Sequence, residues 1–341
     1  MSTVLVTGAA GFIGSNFVRY WRRTHPGDRV VALDALTYAG VRENVEGLDG
    51  VAFVAGSIAN TDLVAHLLRA YSVDVVVNFA AESHNSLAIL RPGDFFATNV
   101  TGTQGLLEAV RRVGVSRFHH ISTCEVYGDL PLDVDGASVA FSEDSPYLPR
   151  TPYNAAKAGG DHVVRSYGLT YDVPVTITNC SNNYGPFQFP EKVIPLFTTR
   201  ALAGEALPLY ASTKNRREWL HVDDHARAID AVLARGRVGQ TYNVGSGVEV
   251  DIEGIADAVL AALGLGPEYK TIVPDRPGHD RRYLLDSTKL RTELGWTPQV
   301  EWDAGIADTV AWYTANEAWW RPLIGRSPVV EGAGADWSST G

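Results

Sequence analysis

Two side chains near the middle of the chain are spaced for proton transfer. Tyr153 and Lys157 are four residues apart and share one face of a helix. An ammonium beside a phenol lowers the phenol pKa by favouring phenolate. A phenolate can take the proton of an alcohol while hydride leaves its carbon. Ser122 and Thr123 end a preceding strand, and their hydroxyls can hydrogen-bond the oxygen of that alcohol. This placement argues against the ordinary alternative, a half-buried tyrosine beside a solvated lysine.

A glycine-rich turn at the N-terminus is the strongest local signal. Gly8, Gly11 and Gly14 follow an apolar run and open a helical pattern, where a tight turn and close approach to a pyrophosphate both favour glycine. Asp34 ends the next apolar run, the position of a carboxylate that holds the adenosine ribose hydroxyls. Its charge repels a 2′-phosphate, which favours NAD over NADP. The glycine spacing is typical of short-chain dehydrogenases; the alternative is a tight turn that binds nothing.

The elements that must position these residues are short β-branched runs alternating with helical patterns. Uninterrupted apolar strands between helices are typical of a parallel sheet covered on both faces. The pattern therefore predicts an α/β fold with a doubly wound (Rossmann) parallel sheet and a smaller mixed α/β substrate lobe. The predicted strands are residues 4–6, 30–33, 51–54, 75–79, 118–122 and 175–178, and later helices are predicted at 222–233 and 252–263.

A change of texture after residue 178 indicates the second lobe. Proline, glycine and aromatic residues interrupt the chain there, as in segments that close over a ligand. We predict an NAD-binding domain of residues 1–178 plus 219–245 and a sugar-nucleotide-binding lobe of residues 179–218 plus 246–325. Residues 326–341, rich in Gly, Ala and Ser, are expected to form a flexible tail.

Composition excludes several classes of protein. A net charge of −10 disfavours nucleic acid and anionic membranes as partners, because both require a broad basic face. The chain has two cysteines, Cys124 and Cys180, without the spacing of a disulfide framework or a zinc site, so no metal is expected. No apolar run is long enough to span a bilayer, and no secretory leader is evident. A cytoplasmic location is therefore expected.

Seven segments, in order between about residues 3 and 315, together resemble the dTDP-glucose 4,6-dehydratase family. The joint pattern is more specific than any one segment. The segments are TGAAGFIG (7–14), LTYAG (36–40), AAESH (80–84), HHIST (119–123), EVYG (125–128), NCSNNYGP (179–186) and DRPGHDRRY (275–283).

The resemblance implies a reaction in three steps with tightly held NAD. Tyr153, helped by Lys157 and Thr123, takes the proton of the C4 hydroxyl while hydride passes from C4 to the cofactor. The 4-ketone acidifies the C5 hydrogen, which Glu125 removes. A neighbouring acid protonates the departing C6 hydroxyl, and hydride returns to C6. The product is the 4-keto-6-deoxy sugar.

The chain departs from the family pattern at that acid. The family reads Thr-Asp-Glu, whereas this chain reads Thr123-Cys124-Glu125. A thiol keeps its proton at neutral pH and is able to donate it. The alternative is that Cys124 is a small filler and that water or Glu125 serves the leaving hydroxyl. The change also leaves open a 5,6-dehydratase or 4-epimerase acting on a UDP- or dTDP-sugar, and a non-catalytic NAD-binding sensor.

Further departures affect neighbouring positions. Residues 85–87 read Asn-Ser-Leu where the family usually has Val-Asp-Arg, and Ser57 replaces an Asp that commonly faces the adenine amine. Serine still accepts a hydrogen bond there, more weakly. Glu218 follows Arg217 where the family has Asp, which leaves the arginine in place.

The resemblance assigns the binding residues as follows. The cofactor site comprises Gly8, Gly11, Phe12, Ile13, Gly14, Asp34, Thr37, Ser57, Ile58, Ala80, Ala81, Ser83, Asn99, Ser122, Tyr153, Lys157 and Asn179. The substrate site comprises His84, Thr123, Asn182, Lys192, Pro208, Tyr210, Arg217, Asn243, Arg276 and His279. The expected substrate is a sugar nucleotide, and dTDP-glucose is the first choice. Thymine and uracil differ by one methyl group, so the sequence does not distinguish a dTDP-sugar from a UDP-sugar. Helices near residues 104–110 and 153–167 pack between subunits in the family, which implies a homodimer.

Overall fold

A parallel sheet of seven strands forms the centre of the computed structural model, which describes residues 2–133, 139–275 and 278–328. The sheet order is β10-β6-β5-β4-β1-β2-β3, with a change of direction between β1 and β4. The strands in chain order are β1 Thr3–Thr7, β2 Arg29–Asp34, β3 Val51–Ala55, β4 Val75–Asn78, β5 Arg117–Thr123, β6 Val175–Cys180, β7 Asn182–Tyr184, β8 Leu207–Tyr210, β9 Arg216–His221, β10 Thr241–Val244, β11 Glu249–Asp251 and β12 Lys270–Val273.

Helices connect these strands. Short 3₁₀ turns add Arg42–Asn44, Cys124–Tyr127, Pro267–Tyr269 and Arg321–Leu323, and a π turn at Ala97–Gly102 joins the fourth and fifth helices. The helices in chain order are α1 Phe12–Thr24, α2 Thr61–Ala70, α3 Asn85–Leu90, α4 Pro92–Phe96, α5 Thr103–Val113, α6 Pro152–Tyr171, α7 Val193–Leu202, α8 Val222–Arg235, α9 Ile252–Leu263, α10 Thr288–Leu294, α11 Trp302–Ala315 and α12 Glu317–Trp320. None of the helices in the described part of the chain is long and apolar enough to cross a membrane.

The large sheet is covered on both faces, and strands such as β1 and β6 are buried at every position. In β1, Val4 and Val6 pack into one core with α1, α8 and α10, whereas Leu5 packs into a second core with α2, α5 and α6. Successive side chains of a strand point to opposite faces, so one continuous apolar run serves both cores. The doubly wound Rossmann architecture predicted from the sequence is confirmed.

A smaller lobe lies beyond the carboxyl ends of the strands. β7, β9 and β11 form a three-stranded sheet, and β8 pairs with β12. Phe197 of α7, Trp219 of β9 and Ile255 of α9 belong to its apolar core. The division into domains stays a prediction; the boundary expected at residue 219 falls within β9. Of the predicted tail, only residues 326–328 lie within the described part of the chain.

The carboxylate of Glu218 in β9 is fully buried and holds two segments that lie outside the strands. It accepts hydrogen bonds from the backbone N–H groups of Gly247 at 2.6 Å and Leu285 at 3.0 Å. Burial raises the pKa of Glu218 from its usual 4.5 to about 7, although both hydrogen bonds oppose that shift.

We expect Glu218 to make the stability of the fold depend on pH. Between pH 4.5 and about 7 the folded state holds a proton on Glu218 that the unfolded state has released, so the free energy of unfolding falls as pH rises. The loss is on the order of 3 kcal/mol. Denaturant unfolding across this range should show a flatter profile for Glu218→Gln than for wild type. Glu205→Gln, at an exposed position, is the control, and an unchanged slope in Glu218→Gln would contradict this prediction.

Candidate active site

The turn between β1 and α1 forms one wall of a cavity of about 400 Å³. Gly8 has a φ of +64°, and a Cβ at that position would lie 2.6 Å from the backbone nitrogen of Ala80. A Cβ on Gly14 would lie 2.2 Å from the Gly8 carbonyl oxygen. Gly11 precedes α1 and provides no side chain to cap it, so the first N–H groups of the helix remain for an anion. These features fit the pyrophosphate of a dinucleotide.

Asp34 lies at the end of β2, beside this turn. Its carboxylate accepts hydrogen bonds from the backbone N–H groups of Ala10 at 2.9 Å and Leu36 at 2.8 Å. Burial raises the pKa of Asp34, and these hydrogen bonds oppose the shift. The two bonds orient the carboxylate, and its remaining lone pairs can accept ribose hydroxyls. The position fits NAD and disfavours a 2′-phosphate.

Most of the predicted cofactor residues line this cavity, and two do not. The lining includes Gly8, Gly11, Phe12, Ile13, Gly14, Asp34, Thr37, Ser57, Ile58, Ala80, Ala81, Ser83, Ser122, Tyr153 and Lys157. Asn99 is buried behind the cavity, where its amide bonds the backbone of Glu82. Asn179 is also buried and donates to the hydroxyl of Tyr127 at 2.7 Å. Both asparagines support neighbouring segments and do not face the cavity.

The predicted catalytic pair lines the same cavity. Tyr153 and Lys157 project from the first turns of α6, and both side chains are buried. The ammonium of Lys157 donates to the carbonyl of Ile121 at 2.6 Å, and burial lowers the pKa of Lys157. Burial and the charge of Glu125 raise the pKa of Tyr153, whereas a hydrogen bond with Thr123 lowers it. The lowering of the Tyr153 pKa by Lys157 stays a prediction.

Cys124 and Glu125 are adjacent in the chain but face different surroundings. Both lie in the 3₁₀ turn that follows β5. Cys124 is 1% exposed and packs in an apolar cluster with Val126, Tyr127 and Tyr283, among others. Burial raises the pKa of its thiol. Glu125 lines the cavity, whereas Cys124 does not. The structure therefore favours Cys124 as a packing residue over Cys124 as a proton donor.

A second cavity of about 220 Å³ adjoins the first and shares Ser83, Glu125, Asn182, Glu191 and Lys192 with it. It extends under the smaller lobe. Arg217 forms part of its wall, where the guanidinium donates to the carbonyls of residues 216, 280 and 281 and lies 4.9 Å from the centre of the Tyr283 ring. The predicted substrate residues in the lining are His84, Asn182, Lys192, Pro208, Tyr210, Arg217 and His279.

Asn243 is a predicted substrate residue that lies outside both cavities. It is fully buried in β10, where it accepts from the Tyr127 hydroxyl at 2.9 Å and donates to the carbonyl of Phe141 at 2.9 Å. Its position in a strand of the large sheet, behind Tyr127, accounts for the difference. Arg276 lies outside the described residues. Thr123, predicted both as a catalytic and as a substrate-contacting residue, lines the first cavity.

Several residues of the two cavities were not among the predicted site residues, and three of them are Glu191, Asn85 and Tyr283. Glu191 is buried, accepts from the Tyr38 hydroxyl at 2.7 Å and lies 3.4 Å from Nε2 of His84. Asn85 donates to Glu125 at 3.1 Å, and Tyr283 lines the second cavity. Two of them had a signal in the sequence, because Asn85 is a departure from the family pattern and Tyr283 ends a segment that carries the resemblance.

Comparison with known proteins agrees with this geometry. Residues 5–309 match the family model described as GDP-mannose 4,6 dehydratase. A dTDP-glucose 4,6-dehydratase of Xanthomonas campestris is 49% identical over 98% of this chain and 99% of its own length. The solved dTDP-glucose 4,6-dehydratase of Streptomyces venezuelae, with NAD and TDP bound, has a TM-score of 0.89 and 47% identity, covering 94% of this chain and 99% of its own. A UDP-glucose 4-epimerase of Thermotoga maritima matches at 28% identity and a TM-score of 0.85, covering 92% and 99% of the two chains.

Proposed function

Because the chain belongs to the dTDP-glucose 4,6-dehydratase family, we infer that it converts dTDP-glucose to the 4-keto-6-deoxy sugar with NAD as cofactor. The observation that carries this inference is the position of Glu125 where the two cavities meet. A sugar attached to a nucleotide in the second cavity extends toward Tyr153 in the first. One cleft thus combines an alcohol-oxidising tyrosine with a carboxylate that can act on a neighbouring carbon.

The first step uses the tyrosine and its neighbours. Tyr153 accepts the proton of the C4 hydroxyl, and the Thr123 hydroxyl hydrogen-bonds the oxygen as it becomes a carbonyl. Lys157, one helical turn further along α6, favours the phenolate through its charge. NAD, when bound, supplies the hydride acceptor for C4 and afterwards the hydride donor for C6.

Elimination of water uses the carboxylate. The 4-ketone makes the C5 hydrogen acidic, and Glu125 accepts that proton. Since Cys124 does not face the cleft, we propose that the protonated Glu125 also delivers its proton to the departing C6 hydroxyl. The C5–H and C6–O bonds break, a C5–C6 double bond forms and water leaves. Hydride addition at C6 then requires a new proton at C5, which solvent supplies. Tyr153 releases to solvent the proton that it took from the C4 hydroxyl, so the protons balance.

Incubation with dTDP-glucose and NAD in heavy water tests the proposed function. Identification of the sugar by mass and NMR should show loss of one water and a single deuterium at C5. A 5,6-unsaturated sugar or a 4-epimer would mean that hydride returns to C4, and an unchanged sugar with bound NAD would indicate a cofactor-binding protein without turnover. Any of these results overturns the proposal.

We expect the thiol of Cys124 to be dispensable for turnover. Because its side chain packs away from the cleft, Cys124→Ser and Cys124→Ala should change kcat by less than tenfold, whereas loss of a general acid costs roughly 10²–10⁴-fold. Steady-state kinetics at neutral pH measures the difference, with thermal unfolding to account for lost packing. A 10²-fold or larger fall in kcat in a folded Cys124→Ala protein would restore the thiol as proton donor.

We also propose a homodimer, formed through α5 and α6. The end of α6 exposes two large apolar side chains, Leu169 at 87% and Tyr171 at 51%, and the Arg111 guanidinium of α5 lies 5.3 Å from the centre of the Tyr171 ring. Apolar patches of this kind mark interaction surfaces. Light scattering should give twice the mass of one chain for wild type. Leu169→Lys should shift the measured mass toward that of a single chain. A single-chain mass for wild type contradicts the proposal. The cytoplasmic location stays a prediction.

A further inference from the structure

A row of hydrogen bonds connects the N-terminus of α6 with the carboxylate of Glu125. The backbone N–H of Asn154 donates to the Thr151 hydroxyl at 3.2 Å. The Thr151 hydroxyl donates to Oδ1 of Asn85 at 3.1 Å. Nδ2 of Asn85 donates to Oε2 of Glu125 at 3.1 Å. The row therefore links three separate segments of the chain, α3, the 3₁₀ turn after β5, and the helix that carries Tyr153.

The direction of this row is fixed by the carboxylate at its end. An ionised carboxylate can only accept, so Glu125 takes a hydrogen bond from the NH₂ group of Asn85. The amide oxygen of Asn85 then faces Thr151 and accepts from its hydroxyl, whose oxygen accepts from the backbone N–H of Asn154. Every donor thus points toward the carboxylate, and aligned hydrogen bonds strengthen one another. The positive end of the α6 dipole lies at the origin of the row.

We propose that Asn85 is a positioning residue that holds the carboxylate of Glu125 ionised and oriented for removal of the C5 proton. The inference rests on the proposed function. Asn85 is half-buried at the first position of α3 and lines the second cavity beside Glu125. A hydrogen bond to the charged form of a carboxyl group favours that form. The side chain therefore supports the base without taking part in proton transfer.

Four titratable groups near Glu125 do not replace this donor. Tyr153 of α6, Tyr283, Cys124 of the same turn and Cys180 of β6 all experience the charge of Glu125. Each of these four groups is uncharged when protonated, so none offsets the charge on the carboxylate. An oriented amide offsets part of that charge and has no proton to exchange at neutral pH. Valine, the family's usual residue at position 85, has no such donor.

Asn85→Val tests the inference with two independent measurements. Difference infrared spectra follow the Glu125 carboxylate, identified by the band lost in Glu125→Gln, and need no substrate. Its titration midpoint should rise by about one pH unit, a tenfold change in proton affinity. With dTDP-glucose in heavy water, the acid limb of the pH profile for deuterium entry at C5 should move up by the same one unit, so that exchange slows about tenfold on that limb and recovers at higher pH. The rate at which NADH absorbance appears should stay close to that of wild type, because Tyr153 is untouched.

Asn316→Val is the matched control. It makes the same chemical change where an asparagine amide donates to the carbonyl of Trp312 at 2.7 Å, beside α12, and it should leave both measurements at wild-type values. Asn85→Asp keeps the shape of the side chain if the valine variant does not fold. When ionised, that carboxylate cannot donate to Glu125, so the midpoint should rise again.

The outcomes separate this inference from the proposed function. A wild-type protein that leaves dTDP-glucose unchanged overturns the proposed function, and the infrared midpoint then still decides whether Asn85 holds Glu125 ionised. An unchanged midpoint in folded Asn85→Val overturns the role of Asn85, whatever the turnover of wild type. An unchanged rate of C5 exchange in a protein that turns over also overturns it.

Discussion

Tyr153→Phe is expected to lower kcat for dTDP-glucose by roughly 10²–10⁴-fold, the usual contribution of a general acid–base group. The phenolate of Tyr153 is the group that accepts the C4 proton, so its loss blocks the first step and every later one. The ring itself remains, and it packs edge-on against Phe95 with centroids 6.2 Å apart. We therefore expect the fold and the binding of sugar nucleotide to be retained. Stopped-flow absorbance of NADH measures the first step directly.

Tyr167→Phe is a matched control for this change. Tyr167 lies on the same helix, is also buried, and accepts a hydrogen bond from Gln104 at 2.8 Å. Its hydroxyl is outside both cavities, so its removal should affect stability and leave the appearance of NADH unchanged. If Tyr153→Phe forms NADH at the wild-type rate, another group takes the C4 proton and the assignment of Tyr153 is wrong.

Glu125→Gln should stop the reaction one step later. Glutamine occupies the same volume but cannot accept the C5 proton, and the loss of a general base again costs roughly 10²–10⁴-fold in product formation. C4 oxidation does not need this carboxylate. The charge of Glu125 also raises the pKa of Tyr153, so its removal should ease loss of the phenol proton. We expect NADH absorbance to rise and remain high, with little deuterium entering C5.

The matched control for Glu125→Gln is Glu143→Gln. Glu143 is a partly buried carboxylate that accepts from the backbone N–H of Asn243 at 2.8 Å, outside both cavities. It should turn over dTDP-glucose normally. Deuterium entry at C5 at the wild-type rate in Glu125→Gln would identify another residue as the base. The contrast between Tyr153→Phe, which forms no NADH, and Glu125→Gln, which accumulates it, separates the two steps of the reaction.

Local pattern was sufficient for the architecture and for the cofactor turn. Apolar runs such as residues 4–6 predict buried parallel strands because both faces of each strand must be covered. Gly8 and Gly14 predict the dinucleotide turn because the backbone there approaches other backbone atoms too closely for a Cβ. Only glycine lacks that atom, so the residue type itself indicates the turn. Asp34 follows from its place at the end of a strand. Each of these three features depends on residues that are close together in the sequence, so the sequence alone was sufficient to predict it.

The directions of individual side chains were decided by tertiary structure. Cys124 and Glu125 are adjacent and looked equally placed for catalysis, yet one enters an apolar cluster and the other the cleft. Asn243 looked suited to a polar substrate, and its amide is instead bonded to groups from other segments, Tyr127 and Phe141. Which face a polar group presents depends on contacts between distant segments.

Asn85 is a residue whose importance the sequence did not show and the tertiary structure did. The sequence identified it as a departure from a family pattern but gave it no role. Its role depends on Thr151, 66 positions away, and on Glu125, 40 positions away. The sequence by itself determined the fold and the dinucleotide turn, and it predicted the tyrosine and lysine of the cleft, because each depends on local spacing. Only the tertiary structure decided which polar side chains line the cavities and which support them, because hydrogen bonds between distant segments fix those orientations.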